Sequence, residues 1–314
     1  MVLVLNGVIQ DETVCPKNSA TLYMQHPHYR TTATQLTQMP VRIITTSPQI
    51  GLLYVHQREM GAVPSHDKQI NLIGSDDATT CIIAVVKHTG SGAISLAHLD
   101  GCGIDEAVSK MISKVHDLSM GYCEGRIELQ LVGGYKDPNG HGEELFYKIM
   151  QAFQNNPNEV DLTLCCVGEL NTIVRDSTNW PIIYGIGINT TGEIFPAKFE
   201  DKGPEINLRQ ARNFTGGKTV LDIYDSHSGM IKIDPFNYDP LRGVDLWLAQ
   251  PDEIILQHLS TSPQVEPPHF VSQTRATLKY IQDNPFPAIT VFRENRPLYF
   301  KRNETTGAWE PLRY

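Results

Sequence analysis

The chain has 314 residues, with 26 Lys+Arg against 35 Asp+Glu and a formal net charge of −9. That acidity argues against nucleic acid as the main partner, because phosphate binding wants a basic surface. With 40% hydrophobic and 19% charged residues, the composition is globular rather than disordered, and the length allows a sizeable core. No run approaches the roughly 18 uninterrupted apolar residues that span a bilayer, and Met1-Val2-Leu3-Val4-Leu5 lacks the basic start and the length of a signal peptide. A cytoplasmic or nuclear protein with no membrane partner is expected. Cys15, Cys81, Cys102, Cys123, Cys165 and Cys166 include no C-x-x-C. In a long chain without a secretory signal they are expected to be free thiols.

Residues 1–50 read as irregular, because Gln25-His26-Pro27-His28 and Pro40 break any long element. Gly51 to Val55 reads as a strand, and Ile70-Asn71-Leu72-Ile73 alternates into a small-residue turn, Gly74-Ser75-Asp76-Asp77-Ala78-Thr79-Thr80. Cys81 then opens a nearly continuous apolar run to Val86, which predicts a strand covered on both faces. His88-Thr89-Gly90-Ser91-Gly92 is a turn, and Ala93 to Leu99 returns as a second strand. So short a connection implies an antiparallel hairpin. A helix follows from Ile104, with Val108, Met111, Ile112 and Val115 on one face and Asp105 and Glu106 in its first turn. Arg126 to Val132 alternates as a strand closed by Gly133-Gly134, and Leu145, Ile149 and Phe153 mark a second helix. Leu162–Val167, Ile182–Ile188 and Glu193–Phe199 read as strands, and Pro204 suits the start of a short helix. Val220–Tyr224 and Met230–Ile233 are predicted to pair as a hairpin, and helices are predicted near 252–259 and 271–282. A terminal hairpin is predicted from Thr290-Val291-Phe292 and Leu298-Tyr299-Phe300. Strands outnumber helices and follow one another through short turns, which fits an antiparallel α+β layered fold in one elaborated domain.

Cys81 and His98 carry the chemistry. In an antiparallel hairpin the start of one strand lies beside the end of the other, so the thiol and the imidazole come close by geometry. An ordinary thiol, with pKa ~8.5, is mostly protonated at pH 7, and a neighbouring imidazole converts it to the nucleophilic thiolate. His88 is the rival base, but strand rise puts it roughly 23 Å from Cys81. The plain alternative for each residue is a buried structural role. The turn before Cys81 argues against that for the thiol, because it leaves Sγ room to be exposed and its backbone N–H groups can form a nest for an oxyanion. Cys81, His98 and Cys102 match no standard zinc spacing. Gly216-Gly217-Lys218-Thr219 ends like a phosphate loop, yet Arg212 stands where the first glycine belongs and a strand follows. Gly185-Ile186-Gly187 lacks the third glycine of a dinucleotide site.

The run GSDDATTC at 74–81, with His98-Leu99-Asp100-Gly101, resembles the protein N-terminal asparagine amidohydrolases. So do Leu52-Leu53-Tyr54-Val55, Leu131-Val132-Gly133-Gly134, Ile183-Tyr184-Gly185-Ile186, Gly203-Pro204-Glu205 and STSPQVEPPHF at 260–270. The resemblance runs from about residue 50 to the C-terminus and leaves 1–50 as a divergent segment packed on a single catalytic domain. It implies a deamidase that converts an N-terminal asparagine to aspartate and feeds the N-degron branch of ubiquitin-dependent turnover. The family cysteine maps onto Cys81. The layout is also similar to that of cysteine-dependent glutamine deamidases, which implies an α-β-β layered sandwich and makes His98 the base. The third member of such sites varies, with Ser75 and Asp77 as candidates here.

The implied reaction needs no cofactor and no metal, and takes protein or peptide substrates with a free N-terminal Asn. A monomer is expected. Restriction to an N-terminal residue calls for a carboxylate that senses the α-ammonium. Asp76, Asp77 and Glu169 are candidates, and Thr80 is a further candidate substrate contact. Two alternatives stand beside this reading. One is deamidation of an internal Gln or Asn, and the other is a non-catalytic adaptor that binds protein N-termini. A papain-like protease is disfavoured, because its histidine lies more than about a hundred residues beyond its cysteine.

Overall fold

A computed structural model of the chain describes residues 2–5, 7–9, 15–122 and 124–312. It is a mixed α/β protein with several mostly antiparallel sheets. The largest has eight strands, in the order Leu221–Asp222, Glu59–Val63, Ile94–Leu99, Ile82–His88, Ile127–Gly133, Glu159–Val167, Val2–Leu5 and Val8–Ile9. The hairpin predicted around Cys81 is its centre, with Ile82 opposite Leu99 and Ile83 opposite His98.

Alternation along these central strands divides the interior in two. Ile82, Ala84 and Val86 join Ala97 and Leu99 in one apolar cluster. That cluster is completed by the helices Ile104–Leu118 and His141–Asn155 through Val108, Met111, Ile112, Phe146, Ile149 and Phe153. Ile83, Val85, Ile94 and Leu96 point the other way, into a second cluster with Leu53, Ile73, Ile186 and Ile188. Those four residues belong to a five-stranded sheet, ordered Arg42–Ile44, Ile194–Phe199, Ile186–Asn189, Leu72–Ser75 and Leu52–Tyr54. The outward side of this smaller sheet buries Leu52, Tyr54, Leu72 and Phe195 in a cluster of its own. The period of two in each strand thus supplies every face with apolar side chains.

The C-terminal part adds a four-stranded antiparallel sheet, Tyr224–Asp225, Met230–Ile233, Leu298–Arg302 and Trp309–Pro311. The helices Ile206–Phe214 and Phe270–Asp283 pack on each other.

Three expectations change. The segment before residue 50 is not irregular: it holds a strand, Val2–Leu5, paired parallel to Glu159–Val167, and the helices Ser19–Gln25 and His28–Thr37. Pro27 does break the chain, but between two helices. The first is capped by Asn18 Oδ1 accepting from the Thr21 N–H, and the second buries Tyr29, Ala33 and Leu36 at helical spacing. Thr290-Val291-Phe292 is not a strand, since a short helix, Pro287–Thr290, takes its start; Leu298–Arg302 pairs instead with Met230–Ile233 and Trp309–Pro311. The strand expected over Ile182–Ile188 begins only at Ile186 and runs to Asn189, and an unforeseen hairpin, Thr172–Arg175 with Thr178–Pro181, precedes it. Cys15, Cys81, Cys102, Cys165 and Cys166 are free thiols; Cys123 lies outside the described residues.

Candidate active site

Cys81 and His98 share a face of the large sheet. The register puts Cys81 diagonally across from His98, on the side that packs against the smaller sheet. Ser75 ends the facing strand of that smaller sheet, and its Oγ lies 2.7 Å from His98 Nδ1. Thiol, imidazole and hydroxyl are therefore contributed by three strands of two sheets. His98 is almost fully buried, and its Nε2 has no hydrogen-bond partner among the described residues. That leaves one ring nitrogen oriented by Ser75 and the other uncommitted.

The turn from Ser75 to Cys81 is held tightly. Gly74 must be glycine, because a Cβ there would meet Phe199 Cζ at 2.0 Å. Asp76 is buried and engaged at both oxygens. Oδ1 accepts from the Tyr54 hydroxyl at 2.7 Å and from Lys202 Nζ at 2.9 Å, and Oδ2 accepts from the Phe199 N–H at 2.8 Å. Asp77 has a positive φ of 59°, and its Oδ2 accepts from Lys202 Nζ and pairs with His269 Nε2 at 2.8 Å. The Ala78 N–H is spent on the Tyr184 carbonyl, whereas the N–H groups of Thr79, Thr80 and Cys81 have no acceptor among the described residues. On the far side, the Gly134 N–H donates to the Cys81 carbonyl at 2.7 Å, and a Cβ on Gly133 (φ 117°) would lie 2.7 Å from that oxygen.

Cys81 opens into a cavity of about 440 Å³. One side is formed by His56, Gln57, Arg58, Asp77, Thr79 and Thr80, and the other by residues 258–274. The run Ser260–Phe270 is tied to the turn by Thr80 Oγ1 to Thr261 Oγ1 at 3.0 Å, by Ser262 Oγ donating to Thr79 Oγ1 at 2.8 Å, and by the Asp77–His269 pair. Glu266 lines the cavity from this run. Its Oε1 accepts from Ser260 Oγ at 2.5 Å and lies 3.1 Å from Ser262 Oγ, whose one proton is shared with Thr79 Oγ1, and Oε2 has no partner among the described residues.

Burial pushes the Cys81 thiol well above its ordinary range; the Asp100 and Glu266 carboxylates add to the effect and Arg58 opposes it. Burial lowers His98 to about 4, against the pull of Asp100 and Asp77. The resting pair is therefore neutral thiol and neutral imidazole. Burial would raise the Asp77 carboxyl, but the His269 hydrogen bond and the Lys202 ammonium outweigh it and hold Asp77 well below the usual range. Burial, then the Asp77 charge, raises Asp76. Burial also raises Glu266, against the two serine hydroxyls. Asp100 sits where the register continues opposite Cys81, and its Oδ2 is gripped by Arg58 Nε at 2.6 Å and Gln57 Nε2 at 2.7 Å.

Cys81, Asp77 and Thr80 thus line one cavity, with Ser75 and His98 joined to each other in the layer behind it. Asp76 faces inward, away from that cavity. Glu169 is remote from it, paired at the surface with Arg30 at 2.6 Å. Sequence reasoning missed Glu266, His269, Arg58 and His56. The signal for Glu266 was a lone acidic residue in a Ser/Pro-rich run between two helices, which does not announce its distant partner.

Comparison with known proteins identifies the family. The profile of a family described as "Protein N-terminal asparagine amidohydrolase" matches residues 42–311. The human protein of that name is 40% identical over 298 residues, covering 95% of this chain and 94% of its own. The mouse protein is 39% identical over the same shares. The Arabidopsis thaliana protein of the same name is 28% identical over 286 residues, 82% of this chain and 80% of its own. The chain belongs to the protein N-terminal asparagine amidohydrolase family.

Proposed function

We propose that the chain hydrolyses the side-chain amide of an asparagine at the free N-terminus of a protein or peptide, giving aspartate and ammonia without a cofactor. The observation that carries the reading is one cavity that presents both the Cys81 thiol and the Glu266 carboxylate. His98 takes the Sγ proton as the sulfur attacks the amide carbon. The backbone N–H groups of Thr79, Thr80 and Cys81 receive the oxyanion. His98 returns the proton to the departing nitrogen, and ammonia leaves a Cys81 thioester. Water, deprotonated by His98, then cleaves the thioester, and the thiol is restored. Ser75, bonded to His98 Nδ1, is the orienting third member. Asp77, engaged by His269 and Lys202, anchors the cavity wall, with Thr80 beside it.

Glu266 is the group we assign to the substrate's α-ammonium, through its free Oε2. The two-faced central sheet, with helices on one side and the smaller sheet on the other, supports a layered α-β-β sandwich of the kind used by cysteine-dependent glutamine deamidases. We further assign the product to an N-degron that directs ubiquitin-dependent turnover in the cytoplasm or nucleus, with the enzyme acting as a monomer.

The test is ammonia release and mass change on Asn-, Gln- and acetyl-Asn-initiated peptides. Wild type should deamidate only the first, and Cys81→Ser should lose at least about 10³-fold in rate. Glu266→Gln should raise KM for the Asn peptide about 10–100-fold, the scale of one charge-assisted contact. Turnover of the acetylated peptide would favour an internal-amide deamidase. Peptide binding without ammonia release by wild type would favour a non-catalytic adaptor.

A further inference from the structure

His56 is one of three histidines that line the cavity, with His258 and His269, and the mechanism above does not use it. It follows the strand Leu52–Tyr54, where the Val55 N–H donates to the Gly74 carbonyl at 2.8 Å. It precedes Gln57, which bridges to His98, and Arg58, whose N–H donates to the His98 carbonyl at 3.0 Å. The backbone of His56 is itself fixed, with its N–H donating to Glu59 Oε2 at 2.8 Å. The residue therefore stands between the strand that carries Ser75 and the strand that carries His98. Its ring lines the cavity onto which Cys81 opens.

His56 is buried, with 7% of the residue exposed, and its Nδ1 is sealed from solvent without a partner among the described residues. Burial lowers its pKa to about 3, against the pull of Glu59, so the imidazole is neutral at pH 7. A neutral imidazole carries one proton on one of two nitrogens. A proton on Nδ1 would strand a buried donor, at a cost of about 1–3 kcal/mol. A proton on Nε2 leaves only a lone pair unpaired inside and directs the donor to the cavity. The Nε2–H tautomer is the cheaper one.

We propose that His56, as a neutral Nε2–H donor, hydrogen-bonds the oxygen of the side-chain amide under attack and so completes an oxyanion site begun by the backbone of 79–81. This rests on the deamidase reading above. A neutral donor suits both ends of the reaction. It strengthens as negative charge develops on the oxygen, and it does not hold the carboxylate product by charge as an imidazolium would. Its effect belongs to the transition state rather than to substrate binding.

Three measurements test this. His56→Phe keeps a buried ring without the donor; kcat should fall about 100-fold, the scale of one oxyanion donor, with KM within about threefold. His56→Gln restores an N–H donor and should recover kcat to within about tenfold of wild type. Nitrogen NMR of ring-labelled Cys81→Ala protein should find His56 protonated at Nε2, with that resonance shifted by an Asn peptide and unmoved by the same peptide acetylated. A His56→Phe protein with near-wild-type kcat, a loss confined to KM, or a His56 protonated at Nδ1 overturns the proposal. If His56→Phe does not fold, the NMR experiment decides alone. Failure of wild type to release ammonia would instead defeat the deamidase reading, while the tautomer and its response to peptide remain measurable in Cys81→Ala.

Discussion

His98 is kept neutral by burial that lowers it to about 4. Its cost is orientation, since a neutral ring has two tautomers. Ser75, at 2.7 Å from Nδ1, removes that ambiguity by occupying one nitrogen. Ser75→Ala should therefore lower kcat about 10–100-fold and lower Tm as well, because the buried His98 Nδ1 loses its partner at a cost of about 1–3 kcal/mol. Wild-type kcat in that variant would remove Ser75 from the site. The Cys81–His98 pairing was legible in the sequence, because a short turn between two β-runs dictates which residues meet. Ser75 was visible only as one of two candidates, since nothing local distinguishes it from Asp77. The distinction comes from strand parity: Ser75 shares the inward face of Ile73, whereas Asp77 lies beyond the strand in a left-handed turn.

Among the elements, the strand Ile127–Gly133 and the glycine after it brace the backbone of Cys81. The strand's last residue, Gly133, lies against the Cys81 carbonyl at a φ no side chain adopts easily. Gly133→Ala combines backbone strain of roughly 1–3 kcal/mol with a contact that pushes on Cys81 itself. We expect a Tm lower by about 2–10 °C and a kcat reduced at least about tenfold, read by thermal melts and peptide turnover. Loss of stability without loss of kcat would mean that the carbonyl moves and the thiol does not. The double glycine was legible as a strand end, but its partner was not. Likewise Ser260–Phe270 was legible only as a block typical of the family. The hydrogen bonds that make it a cavity wall reach Thr79 and Thr80 across about 180 residues of sequence, and periodicity carries no information over that range. The helices before residue 40 were missed for a different reason. Pro27 was weighed as a breaker, and the capped, amphipathic stretches on either side were not weighed at all.

For the molecule as a whole, the two neutral imidazoles set an acid limit. His98 at about 4 and His56 at about 3 lie below the ~6.5 of an unfolded histidine. The unfolded chain therefore binds protons more readily. Their stabilisation is complete above pH ~6.5 and is lost progressively as pH falls toward 4. Asp77 and Asp100, both held low, act in the same sense only below about 4. Glu266 and Asp76, both held high, act in the opposite sense. Tm should fall by roughly 5–10 °C from pH 7 to pH 5, and His56→Gln should remove about half of that slope. An unchanged slope in His56→Gln would show that other groups control the acid limit.

The cavity wall at 258–274 also has a consequence in time. Ribosomal synthesis delivers Ser75, Cys81, His98 and Gly133 well before Glu266 and His269 emerge. The hairpin that brings the thiol beside the imidazole joins residues close in sequence, whereas Glu266 lies near the end of the chain. The cavity beside Cys81 is therefore completed by the last segments to be synthesised. Glu266 adds to the forces that hold the Cys81 thiol above its ordinary range, so part of the thiol's setting arrives with this last segment.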